Sequence, residues 1–121
     1  MVDVNIAHMF KRKASELVSK LQARFPGRLM FASVALTQAD EQYMLDEYIT
    51  RVHHPYGDRI KARDEQFFLT TDGIDDPLNV TTMLRGLWGD MTSADRDVVW
   101  RYLDIFERLA SKVTLDPAPR T

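Results

Sequence analysis

RLMFASVALTQ, residues 28–38, is the one part of this chain that reads equally well as a strand or as a helix. Its centre, LMFASVAL at residues 29–36, is a continuous apolar run, and periodicity alone does not separate a buried strand from a buried helix over so short a length. The rest of the chain decides. A lone strand leaves its amide and carbonyl groups without partners, and no second stretch of this sequence makes a convincing strand to pair with. The run is therefore expected to be a short buried helix, and the chain all-α.

Upstream, Ile6, Phe10, Ala14, Leu17, Leu21 and Phe25 recur at intervals of three and four, which draws one apolar stripe down a helix. Pro26-Gly27 ends it, because proline disfavours helical geometry in the residue before it and glycine suits a turn. Downstream, Thr37 followed by Asp40 reads as a helix-start signal, and Leu45, Tyr48, Ile49 and Val52 mark the inner face of a helix from about residue 39 to 53. His53 and His54 suit the negative end of that helix, with Pro55 marking its stop. HHPYGDRIKARDEQFF, residues 53–68, then reads as a helix end, a tight Pro-Tyr-Gly turn and the start of a short helix anchored by Phe67 and Phe68.

The last third is strongly helical. A helix over residues 78–88 turns Leu84, Leu87 and Trp88 inward, and Gly89 stops it. Thr92 and Ser93 are cap residues for the final helix, with Asp95 and Asp97 in its first turn against the positive dipole end. Along that helix Val98, Val99, Trp100, Tyr102, Leu103, Ile105, Phe106, Leu109, Ala110 and Val113 cover more than half the circumference. Asp97, Arg101, Asp104, Arg108 and Ser111 fill a narrow polar strip. So wide an apolar arc places the helix at the centre of its neighbours. The expected architecture is a compact bundle of about five helices around this C-terminal helix, one domain over residues 1–115 with a flexible tail at 116–121.

Composition narrows the function. With 45% hydrophobic and 28% charged residues, the chain reads as a soluble globular protein, expected inside the cell because its first residues show no secretory signal. No apolar run is long enough to span a bilayer. The absence of cysteine excludes disulfides, thiolate zinc sites and a cysteine nucleophile. The net charge of −2 gives no overall attraction to nucleic acid or to an anionic membrane. Locally the balance differs: residues 1–28 carry +4 and residues 29–121 carry −6. Lys11, Lys13, Lys20 and Arg24 are thus the candidate contacts for a phosphate backbone or an acidic partner, unless the basic helix docks on the chain's own acidic body.

Catalytic signatures are missing. Adjacent histidines diverge on a helix, whereas zinc helices space ligands at i and i+4, so His53, His54 and Asp58 read as structural, with a metal or acid/base site as the lesser reading. Arg63-Asp64-Glu65 reads as a helix surface with ordinary ion pairs. TTDGIDDP at residues 70–77 lacks the ligand alternation and closing glutamate of a calcium loop and reads as a turn. The glycines are scattered, with no phosphate-cradling loop.

HHPYGDRIKARDEQFFL followed by LRGLWGDMTSADRDVVWRYLDIFERLA resembles small helical proteins encoded by large DNA viruses of algae and protists, over residues 45–112. The resemblance rests on Ile60, Arg63, Asp64, Glu65, Phe67, Phe68, Trp88, Trp100, Tyr102 and Leu103. It implies a viral origin, in the host cell or virion, and carries no assigned enzymatic activity. The expected function is a non-catalytic, cofactor-free helical module that binds another protein; the alternative is a nucleic-acid-binding protein using the basic first helix. The expected partners are another protein or a second copy of the chain, with nucleic acid held only weakly and no membrane.

Overall fold

The computed structural model describes residues 4–66 and 80–114. Within them the elements are α1 (Val4–Arg24), α2 (Met30–Gln38), α3 (Glu41–Tyr48), a π-helical segment (Ile49–His53), α4 (His54–Lys61), α5 (Val80–Trp88) and α6 (Ser93–Thr114). The backbone stays right-handed helical from α3 through the π segment into α4. Counted as one rod, these leave five helices and no strand among the described residues, an all-α fold. Phe67, Phe68 and the 70–77 segment lie outside the described residues, as does the expected tail.

Of the 28–38 stretch, Met30–Gln38 is helical, as its lack of a partner strand required, and Leu29 is the residue before its first turn. It is reached through a turn at Phe25–Arg28, where the Arg28 amide donates to the Phe25 carbonyl at 3.1 Å and Gly27 has φ +81, a left-handed conformation that glycine adopts without strain. Thr37 does not start the next helix: its hydroxyl donates back to the Ser33 carbonyl within α2 at 3.0 Å. Asp40 alone caps α3, accepting the Tyr43 amide at 2.9 Å.

The expected break at Pro55 is absent. A proline inside an α-helix has no amide to donate, and its ring collides with the carbonyl four residues back. Here the chain widens just before it. The His54 amide donates to the Ile49 carbonyl, five residues back, and Pro55 then occupies the first turn of α4. His53 and His54 therefore sit mid-rod and not at a helix end. The rod stops at Arg63, which takes φ +54 while its amide donates to Ile60 and that of Asp64 to Arg59, both at 2.9 Å. Arg63 also reaches away from its own helix, to Asp97 and Asp104 of α6 at 3.1 Å each. Arg63-Asp64-Glu65 is thus a helix terminus tied across the bundle, not a helix surface.

α6 begins at a reciprocal box. The Thr92 hydroxyl accepts the Asp95 amide at 3.1 Å while the Asp95 carboxylate accepts the Thr92 amide at 3.0 Å, so Ser93 is not the cap. α6 packs on α1, α4 and the π segment, and α1 also packs on α2 and α3. The shared core includes Leu17, Leu21, Leu45, Ile60, Leu84, Leu87 and Val99. Phe10, Tyr48 and Phe106 form an aromatic cluster with centroids 4.9–5.9 Å apart, and Trp88 meets Trp100 edge-on at 5.7 Å.

Candidate functional site

The basic residues of α1 face several different groups. Lys11 donates to the Ala39 carbonyl at 2.6 Å, stabilising the C-terminal end of α2, which has no basic residue in its own last turn. Lys13 lies 3.3 Å from Glu16. Arg24 grips Asp95 with two hydrogen bonds, at 2.9 and 3.2 Å. The Arg24 guanidinium, followed by the Thr92 amide, holds the Asp95 carboxyl below the usual aspartate range. Arg28 meets Asp90 at 3.2 Å. Arg24 and Arg28 are thus docked on the acidic body, Lys11 on the end of α2, and Arg12 and Lys13 pair with Glu16 of their own helix. Lys20 remains with Arg12, Ser15, Glu16, Ser19 and Tyr102 along an open groove of 530 Å³ between α1 and α6. Glu16 in that groove already accepts from Lys13 and, at 3.1 Å, from the Tyr102 hydroxyl.

The most buried polar constellation involves a residue that the wheel reading of the last helix passed over. Glu107 is 2% exposed. Its Oε2 accepts the Tyr48 hydroxyl at 2.5 Å, and its Oε1 lies 2.8 Å from Nδ1 of His53. With Glu107 ionised, a state in which a carboxylate only accepts, Nδ1 of His53 is the donor. Burial, and then the charge of Glu107, pushes the Tyr48 phenol well above its ordinary range, which keeps it a donor. Gly57 makes room: a Cβ there would stand 2.8 Å from Oε1 of Glu107 and 3.3 Å from Nδ1 of His53. His54 is exposed, its ring tilted 43° to that of His53 at 5.8 Å. No group of three or more His, Cys, Asp or Glu among the described residues is placed to hold a metal ion. Glu107 had a signal in the sequence: on the wheel it falls between Leu103 and Trp100, inside the apolar arc, where a carboxylate must find partners.

At the surface the anomaly is of the opposite kind. α2 has no charged residue over its nine positions. Leu29 and Leu36 are buried beneath it, yet Met30 is 65% and Val34 52% exposed. Met30, Val34 and Gln38 follow one another at i, i+4 and i+8, so they share one outward stripe. The ties from His8 to Glu41 and from Lys11 to Ala39 hold α1 against the α2–α3 junction beside it. No described helix is long and apolar enough to cross a membrane.

Comparisons with family models, with curated proteins and with solved structures gave no match for this chain.

Proposed function

We propose that this chain is a non-catalytic helical interaction module that presents the outer stripe of α2 to another polypeptide. The observation that carries the reading is the exposure of Met30 and Val34 on a helix without charge. A helix that is apolar all round belongs in an interior, and contiguous exposed apolar surface marks interaction sites. The histidine pair gives no competing argument for chemistry, since His53 is committed to a buried carboxylate. With the resemblance of residues 45–112, the module reads as a viral structural or accessory protein, working in the host cell or the virion.

A photoreactive residue in place of Val34, in the full chain inside the producing cell, tests this. The expected result is a discrete adduct from position 34 and none from Arg108, which is exposed on the polar strip of α6. Equal labelling from both positions, or none from 34, removes the reading.

Nucleic-acid binding is the second reading, favoured by Arg12 and Lys20 along the groove. If those two alone meet phosphates, the log–log salt slope for duplex binding is about −1.8, whereas four contacts through Lys11, Lys13, Lys20 and Arg24 would give about −3.6. Weak anisotropy changes that vanish near physiological salt are expected. Tight binding there, with the steeper slope, would favour nucleic acid.

A further inference from the structure

We infer that the occupant of the α2 stripe is a second copy of this chain, with the two α2 helices packed antiparallel about a twofold axis through Val34. The inference rests on the interaction reading above and names its partner. Val34 is the midpoint of Met30–Gln38. Outside the helix, Arg28 and Asp40 stand at equal distances in sequence from Val34, one at each end, and both are exposed. Antiparallel packing therefore sets Arg28 of each copy against Asp40 of the other, at both ends of an uncharged seam. Parallel packing would set like charges together at both ends. The helix dipoles agree, because each positive end meets a negative one.

The flanking groups are available for this role. Arg28 donates to Asp90 at 3.2 Å and to the Gly86 carbonyl at 3.3 Å, both at the surface, and its side chain stays 48% exposed. Asp40 uses Oδ2 for the Tyr43 amide, leaving its other oxygen to accept. Along the seam, Val34 meets its own copy, and Met30, whose flexible thioether adapts to irregular surfaces, lies across from the Gln38 end. A nine-residue helix is only about 13 Å long, so the buried area falls short of the roughly 800 Å² per partner of a standard interface. The dimer is accordingly weak.

Sedimentation equilibrium on the full chain, from low micromolar to millimolar concentration, reads this directly. The expected weight-average mass climbs from 14.0 kDa toward twice that value, and Val34→Glu holds it at the monomer. Arg28→Asp and Asp40→Arg should each weaken self-association about tenfold, as expected for loss of opposed charges at both ends. An equimolar mixture of the two should restore it, because the heterodimer regains both opposite-charge pairs. Asp40→Asn, which keeps an N-cap residue for α3, guards against loss of the helix start as the cause. A monomer at every concentration, a dimer indifferent to Val34→Glu, or a mixture that restores nothing overturns the inference. If the chain stays monomeric while position 34 still labels a different protein, the self-pairing falls and the interaction reading stands. If neither is seen, both fall.

Discussion

Two regions of this molecule break the rule of apolar inside and polar outside, in opposite directions. At the π segment, a buried carboxylate is bonded to a half-buried imidazole and a half-buried phenol. On α2, Met30 and Val34 face solvent from a helix with no charge of its own. The first departure is compensated within the chain: both oxygens of Glu107 accept a hydrogen bond, and Gly57 leaves the room they need. The second has no compensation among the described residues. A buried polar group that is satisfied on all sides is a structural staple, here joining the π segment to α6. Exposed apolar surface without a cover has no such role inside the chain, and the proposed interaction rests on it.

The largest effect expected from breaking this comparison is at Glu107. Glu107→Ala takes the acceptor from two donors, Tyr48 and His53, and opens a gap under α4, and each polar group left unsatisfied costs about 1–3 kcal/mol. Urea melts measure it. A change under ~1 kcal/mol would mean that the staple contributes little and that the two regions do not differ in kind.

Gly57→Ala comes next. The added Cβ would stand 2.8 Å from Oε1 of Glu107, which His53 holds while Tyr48 holds the other oxygen of the same carboxylate, so overpacking of about 1–3 kcal/mol is expected. Gly86 of α5 is the control. A Cβ there meets nothing within 4 Å, so Gly86→Ala should stabilise by about 0.5–1 kcal/mol through helix propensity alone. Equal effects at the two glycines would deny Gly57 its special role.

How much of this could be read from the sequence follows from which forces are local. The stripe of α1 and the arc of α6 were legible because helical periodicity is written in the order of residues, and Leu17, Leu21, Val99 and Phe106 are buried as that order requires. The helical state of 28–38 followed by elimination. Pro55 misled, because its missing amide is a local fact, whereas the slip to a five-residue hydrogen bond that accommodates it depends on how the whole rod packs. The partners of Arg24 and Arg63 lie 71 residues away for one and 34 and 41 for the other, beyond any spacing rule. The outward stripe of α2 was hidden for another reason: where nearly every residue is apolar, the pattern names no inner face.

A pH titration sharpens the polar side with a smaller effect. The Tyr48 phenol is held up by burial and by Glu107, so the folded state keeps that proton to higher pH than the unfolded chain. Stability from this source is fully present below the unfolded tyrosine value of about 10 and is lost as pH rises through the folded one. Melts from about pH 8 to 11 should show the advantage of the native chain over Tyr48→Phe shrinking only above about pH 10. A difference that stays constant across that range would show that Tyr48 titrates alike in both states.

The smallest effect is expected on α2, and its smallness is the point. Val34 and Leu36 belong to one apolar run, two residues apart, yet Val34 is half exposed and Leu36 is buried at 3%. If the stripe faces water in the isolated chain, Val34→Ser removes no core contact and should move stability by less than ~0.5 kcal/mol, measured at concentrations too low for self-association. Leu36→Ser buries a hydroxyl and leaves a cavity, with an expected loss of about 3 kcal/mol or more. Comparable losses at the two positions would mean that Val34 is covered by its own chain. The apolar anomaly would then be compensated internally, like the polar one, and the surface on which the interaction reading stands would disappear. A large loss at Leu36 alone shows that Val34 faces solvent in the isolated chain, which is the surface the proposed interaction needs.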